Sequence, residues 1–280
     1  MFAQASGLFA RHDLNVMIDI VEPGRDPRDL FREGFDIVAG VHLFVAAPLA
    51  MDERIRARCF LFHAYNEDHL FESLVVQPES GIAYMHDLAG RRVLVAQGAG
   101  HSRIVRELLR QSGIPDPTSV ELVVAPQHRF LEILRARQAD AAFTMEPWGT
   151  NLETFHGFPM IARGLLSHYL FGDGEGLAFF GGVIARQSTL QRQLPALARL
   201  REAWEEAYRM MFTDLDIRRQ AVSMVFPDIP IARSVGIPAV VAAREMSGAN
   251  LQQIQLALDM GGRLGFLTRS VDVTLLAVNI

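Results

Sequence analysis

The sequence predicts an α/β protein of two lobes. Three observations predict it: an internal repeat, alternation of helical and β-rich patterns along the whole chain, and two places where the chain changes lobe. The repeat joins "LFARHDLNVMIDIVEPGRDPRDLFREGFDIVAG" (8–40) to "ELLRQSGIPDPTSVELVVAPQHRFLEILRARQADAAFT" (107–144). Each copy reads as helix, β-rich run, turn, second helix, then an Asp opening an apolar strand. Leu30 lies six residues before Asp36, and Leu134 six before Asp140. Alternation of this kind predicts mainly parallel sheets with flanking helices.

The elements follow in order. Residues 2–12 are amphipathic and predict a helix, and "NVMIDIV" (15–21) predicts a strand. Pro23, Gly24 and Pro27 mark a turn, followed by a helix at 27–33 and a strand at 36–39. "FVAAPLAMDE" (44–53) reads as helix, "ARCFLFHAY" (57–65) as β-prone, and "ESLVVQP" (72–78) as a strand stopped by Pro78. The chain changes lobe next. A short helix at 85–89, a strand at 92–96, a helix at 101–112, a strand at 119–124, a helix at 127–137 and a strand at 140–144 build lobe two. "GFPMIARG" (157–164) adds a strand and return loop.

The Gly-rich stretch "FGDGEGLAFFGGVIARQ" (171–187) suits a return hinge followed by an apolar strand. Helices at 194–212, 214–225 and 250–266 complete lobe one. The predicted organisation is therefore lobe one from 1–80 and 175–280, lobe two from 81–174, and a two-strand hinge between them. Ligands prefer the carboxyl ends of parallel strands and inter-domain clefts, so the pattern points to small-molecule capture.

Composition narrows the functions. The 280 residues are 50% hydrophobic and 21% charged, with a net charge of −5. That balance fits folded cores and argues against a nucleic-acid partner. All 27 basic residues are Arg. A Schiff-base lysine, a P-loop lysine and a Ser–Lys pair are therefore excluded. One cysteine, Cys59, rules out an intrachain disulfide and a thiolate cluster. Cys59 sits in an apolar run that predicts core. His63 and His69 lack any metal-ligand spacing, and no G-x-S-x-G elbow is present. Neither a metal nor a cofactor is expected. The segment "MFAQASGLFARHDL" has no basic region followed by an apolar one, so the sequence as it stands reads as cytoplasmic.

Three loops are candidate ligand contacts. In "VLVAQGAGHSRIVRELL" (93–109) a strand runs through Gly98 and Gly100 into a helix opened by His101 and Ser102, where unpaired amides can meet an anion. The third glycine of a dinucleotide fingerprint is missing, and a tight strand–helix turn capped by Ser explains the same residues. In "DIVAGVHLF" (36–44), Gly40, Val41 and His42 end a strand at the equivalent place; a structural His is the plainer reading of His42. In "TMEPWGTN" (144–151), Glu146 and Trp148 follow the matching strand of lobe two. Trp148 serves equally as a flat ligand surface or as a capping residue.

Taken together, these segments resemble the solute-binding proteins of ABC importers for nitrate, sulfonate, taurine and related solutes, a superfamily that includes the thiamine-pyrimidine synthase-like (NMT1) proteins. "AQASGLFARHDLNVMI" is similar to the family's opening segment, "LFREGFDIVAG" to its Gly-x-Asp-Ile strand, and "PESGIAYMHDLAGRRVLV" to its Ser-x-Ile turn and Asp-Leu-x-Gly stretch. "LRARQADAAFTMEPW" resembles its Asp-Ala strand and Glu-Pro loop, and "NLQQIQLALDMGGRLGF" its C-terminal helix. The resemblance spans essentially the whole chain. It implies a type II periplasmic-binding-protein fold that captures a small polar or anionic solute between lobes, near Gly40, Val41, His42, Gly98, Gly100, His101, Ser102, Glu146 and Trp148. It also implies an ABC permease as partner, a monomeric state, no cofactor, and a periplasmic location if an export signal precedes Met1. The family's first strand would also precede Met1, so the chain as given is expected to be of low stability. Two alternatives stay open: an enzyme on the same scaffold, or a ligand-sensing regulatory domain. The family's lysine-held pyridoxal phosphate has no lysine here, and Cys59 is poorly placed for a desulfinase.

Overall fold

The computed structural model describes residues 1–21, 25–98, 100–171 and 176–280. The turn expected at Pro23 and Gly24, and residues 172–175 of the Gly-rich crossing, lie outside them. Nine strands are formed among the described residues: β1 (Ile37–His42), β2 (Arg58–Tyr65), β3 (Glu72–Val76), β4 (Arg92–Ala96), β5 (Glu121–Ala125), β6 (Ala141–Met145), β7 (Met160–Arg163), β8 (Ala178–Ala185) and β9 (Ala239–Ala242). They make a four-stranded sheet in the order β1-β8-β2-β9 and a five-stranded sheet in the order β5-β4-β6-β3-β7. The chain divides into two compact units: Met1–Ala64 with Phe179–Val225 and Ala239–Ile280, and Tyr65–Ala178 with Phe226–Pro238.

In the first unit, β8 pairs antiparallel with β1, and β2 antiparallel with β9. Phe60, Leu61, Val183 and Ala185 meet Leu197, Leu200 and Ala203 of the helix Leu194–Thr213 in one core cluster. Backbone approach is close here. A Cβ on Gly182 would stand 2.5 Å from both the Cys59 Sγ and the Leu61 carbonyl oxygen. Only glycine fits that space without displacing a neighbouring strand.

Two expectations fail in this unit. The helix expected over 2–12 is two short pieces, Phe2–Ala5 and Leu8–Arg11. Gly7 between them is left-handed (φ 72°), and the Ser6 hydroxyl donates back to the Phe2 carbonyl at 2.8 Å, which ends the first piece. The strand expected over 15–21 does not form. A strand exists only where a neighbour completes its ladder, and among the described residues none pairs with this run. Leu14 and Val16 pack on the core, while Met17 and Ile20 are 90% and 68% exposed.

The second unit holds the parallel strands. β4 pairs parallel with β5 and with β6, because each connection carries a helix back across a sheet face. β3 runs antiparallel to both β6 and β7. The sheets are thus mixed rather than mainly parallel; among the pairings described, parallel ladders are confined to this trio, and one isolated parallel bridge joins Cys59 to Ala277.

Both faces of this sheet are covered. Leu74, Val76, Val93, Val95 and Phe143 pack against Val105, Leu108 and Leu109 of the helix His101–Gln111. Val75, Leu94 and Ala142 pack on the other side against Phe130, Ile133 and Leu134 of the helix Phe130–Arg135. Two-sided burial is why "RVLVA" and "ESLVV" read as continuous apolar runs.

The unit boundaries also differ from expectation. The sequence reading changes lobe near 80 and near 175; in the structure the changes fall at Ala64/Tyr65, Ala178/Phe179, Val225/Phe226 and Pro238/Ala239. Residues 226–238 lack helical or strand periodicity and join the second unit through specific contacts. The Asn151 amide donates to the Pro230 carbonyl at 2.9 Å, and Gly236 lies so close to Leu70 that a Cβ would stand 2.2 Å from its carbonyl oxygen.

Gly182→Ala is expected to destabilise the protein by about 1–3 kcal/mol, the usual cost of overpacking a tight core, measured by chemical denaturation.

Candidate functional site

Parallel pairing puts the ends of β4, β5 and β6 at one edge of the second unit's sheet. The loops that leave them are 97–100, 126–129 and 146–147. Because β3 and β7 run the opposite way, Glu72 sits opposite Met145 and Arg163 opposite Ser73, at the same edge. Six of the predicted site residues are brought to this edge: Gly98, Gly100, His101, Ser102, Glu146 and Trp148.

Gly98 is exposed with φ 148°, a conformation that side chains rarely adopt, and a Cβ there would stand 3.1 Å from the His101 Nδ1. Gly100 precedes the helix His101–Gln111, and its carbonyl accepts from the Arg103 and Ile104 amides at 3.1 Å. The His101 and Ser102 amides at the start of that helix lack intrahelical acceptors by geometry, which makes this end favourable to negative charge. His101 is half-buried. Burial holds its pKa below the usual imidazole value, against the opposing effect of hydrogen bonds to the backbone at Gln97 and Ala96. A neutral imidazole therefore borders the loop near neutral pH.

Glu146 is the most constrained residue of the edge. It follows β6 and precedes Pro147 through a cis peptide bond. Its Oε1 accepts from the Thr150 hydroxyl at 2.9 Å and the Thr150 amide at 3.2 Å, while Oε2 accepts from the Gly236 amide at 3.4 Å. Burial pushes its pKa up to about 7, and these hydrogen bonds and the charge of Arg163 offset only part of that. Behind it, the Ser73 and Thr144 hydroxyls pair at 2.8 Å. Gly149 lies against this cluster: a Cβ there would stand 2.3 Å from the Ser73 Oγ, 2.6 Å from the Thr144 Oγ1 and 3.2 Å from the Glu146 Oε1. Trp148 opens the helix Trp148–His156 and meets Phe226 edge-on at 6.4 Å.

Sequence reasoning missed Glu72, which it read only as the start of a strand. Glu72 is buried, its Oε1 accepts from the Leu166 amide at 2.7 Å, and burial raises its pKa to about 7. An acid opening an otherwise apolar strand was the available signal. Gln127, whose Oε1 accepts from the Met145 amide at 2.7 Å, was missed as well.

The remaining predicted residues lie in the first unit. Gly40 is exposed with φ 71°, at an irregularity of β1 between Val38 and Val41. Val41 is a core residue, 5% exposed and opposite Gly182, so its side chain offers no surface to a ligand. His42 caps the helix Leu43–Ala50: its Nδ1 accepts from the Phe44 amide at 3.1 Å, and its ring packs edge-on at 4.6 Å from Phe44 and 4.2 Å from Phe180. That is the structural alternative foreseen for it. Cys59 is fully buried, its Sγ donating to the Leu61 carbonyl at 3.1 Å, and burial raises its pKa. Buried His63 is depressed to about 4. Among the described residues no group of three or more His, Cys, Asp or Glu could hold a metal ion, and no helix is long and apolar enough to cross a membrane.

An edge with a helix N-terminus, small residues, an acid of raised pKa and an indole is suited to binding an anionic solute. The chain belongs to the NMT1/THI5-like family, whose model matches residues 1–214. No curated protein sequence matches it. Among solved structures, the alkanesulfonate-binding protein SsuA from Xanthomonas axonopodis pv. citri, bound to MOPS, superposes with a TM-score of 0.72 at 16% identity, covering 100% of this chain and 93% of that one. The periplasmic aliphatic sulphonate-binding protein SsuA from Escherichia coli gives 0.73 at 12% identity, covering 100% and 89%. The desulfurization enzyme DSZB gives 0.63 at 14%, covering 99% and 92%. At these identities the likenesses establish the fold.

Glu72 gives a pH prediction with a definite sign. Its folded pKa lies above the ordinary 4.5, so folding takes up a proton, and the stability of the native state falls as pH rises from about 4.5 to 7. In Glu72→Gln that loss is absent. The melting temperature of the variant relative to the parent is expected to rise between pH 5 and pH 8.5 in calorimetry; a constant difference would contradict the assignment.

Proposed function

We propose that this protein is the solute-binding component of an ABC importer and captures a small organic anion of the sulfonate or carboxylate class. The observation that carries the reading is the convergence of the helix His101–Gln111 N-terminus, Glu146 and Trp148 on one edge of the second unit's sheet. The anionic group meets the first-turn amides beside Gly98, Gly100 and Ser102. Glu146, whose pKa is raised to about 7, carries less repelling charge the further the pH falls below that value, and in its protonated form can donate a hydrogen bond. Trp148 supplies an apolar face for the organic part. A permease partner and a periplasmic location accompany this reading, supported by the binding proteins of like fold; a monomeric state is proposed with them.

The likeness to DSZB raises an enzymatic reading. Fully buried Cys59, the chain's one thiol, does not favour it. Cys59→Ser is expected to leave ligand binding unchanged. A sensing role differs from uptake in its partner rather than in its site.

Titration calorimetry against alkanesulfonates, aromatic carboxylates, nitrate and pyrimidines tests the proposal. Saturable binding of at least one anion is expected, and its absence across the panel counts against it. Trp148→Ala is expected to weaken that binding about five- to tenfold, the scale of one aromatic contact (about 1 kcal/mol). Raising the pH from 6 to 8.5 is expected to weaken anion binding as Glu146 ionises through about 7, and Glu146→Gln is expected to flatten that dependence.

A further inference from the structure

The first unit has a pocket of its own. It is about 450 Å³ and is lined by Arg28, Pro48, Met51, Asp52, Leu267, Thr268 and Arg269. None of these residues belongs to the sheet edge described above. The volume falls within the range, roughly 300–1,000 Å³, that small-molecule pockets occupy. Three segments build it: the first turn of the helix Pro27–Arg32, the end of the helix Leu43–Ala50, and the loop after the helix Gly248–Arg263.

Its charges are unevenly committed. The Asp52 Oδ1 accepts from the Arg54 and Ile55 amides at 2.9 and 3.1 Å, which ties that carboxylate to its own turn. Arg28 reaches Asp26 at 3.4 Å and Asp52 only at 4.0 Å, both weak exposed contacts. Arg269 is exposed and forms no ion pair among the described residues. Arg28 is thus shared between Asp26 and Asp52, which leaves Arg269 as the positive charge uncommitted to an ion pair among the described residues. The last carbonyls of the helix Leu43–Ala50 do not cancel it. The Pro48 oxygen accepts from the Met51 amide, and the Leu49 oxygen from the Asp52 and Ala57 amides. Pro48, Met51 and buried Leu267 supply apolar walls, and the Thr268 hydroxyl adds a donor.

We propose that this pocket binds a small organic monoanion, with its carboxylate or sulfonate held by Arg28, Arg269 and Thr268 and its apolar body against Pro48, Met51 and Leu267. A guanidinium offers paired donors suited to such a head group. The proposal does not rest on the function proposed above, because every residue it uses lies in the first unit.

Met51 gives a local readout. In full-length protein carrying ¹³C-methyl methionine, the Met51 signal is assigned with Met51→Leu, and the parent is titrated with benzoate, benzenesulfonate and neutral benzyl alcohol. The Met51 methyl is expected to shift saturably with both anions and not with the alcohol. Arg269→Glu, at an exposed position, is expected to keep the parent's melting temperature and raise the dissociation constant read at Met51 at least fivefold. Thr268→Val provides a second variant should Arg269→Glu lose stability, with at least a twofold rise expected. No saturable shift, an equal response to benzyl alcohol, or smaller increases than these overturn the proposal. Trp148→Ala is expected to leave the Met51 response unchanged and Arg269→Glu to leave binding at the sheet edge unchanged, so the two failures are distinguishable.

Discussion

The structure depends on the side-by-side parallel pairing of β4 with β5 and β6. Parallel strands need helical crossovers, and those helices bury both faces of the sheet. Val93, Leu94 and Val95 are accordingly fully buried, alternating between two separate core clusters. The same pairing aligns the strands' carboxyl ends. Gly98, His101, Glu146 and Trp148 come together because their strands end in register at one edge, not because they are near in sequence.

What that edge can do follows from its electrostatics. A carboxyl group held among hydrogen-bond donors yet largely removed from water keeps its proton to higher pH than usual. Glu146 is in that position, and Glu72 shares the strand-end edge on β3. Two acids that would repel an anion when ionised are thereby largely neutral over the lower part of the physiological range. The donors around Glu146 also tie three separate pieces of chain together: the end of β6, the first turn of the next helix at Thr150, and Gly236 in the segment 226–238.

Much of this was legible in the sequence, and the limits were physical. The strand at 92–96 and the helix from 101 could be read because a continuous apolar run, a glycine pair and a 3.6-residue period each carry their own local signal. The helices at 194–212 and 250–266 were legible for the same reason. The run 15–21 misled because β-propensity says nothing about whether a partner strand exists. The helix over 2–12 misled because Gly7 in an amphipathic pattern does not disclose a left-handed backbone. Segment 226–238 was invisible because its place is fixed by contacts to Leu70, Glu146 and Asn151, each at least 79 residues away along the chain. At the site, the glycines and Trp148 were legible as loop residues after strands. The unusual acidity of Glu146 and Glu72 was not, since it arises from burial that only the folded structure defines.

Hydrogen–deuterium exchange with and without a saturating alkanesulfonate tests the central claim most directly. The account predicts slowed exchange at the amides of 100–104 and 148–150, where the helix end and the Glu146 corner meet the anion. A ligand that binds the protein yet leaves both stretches exchanging at their original rates would contradict it.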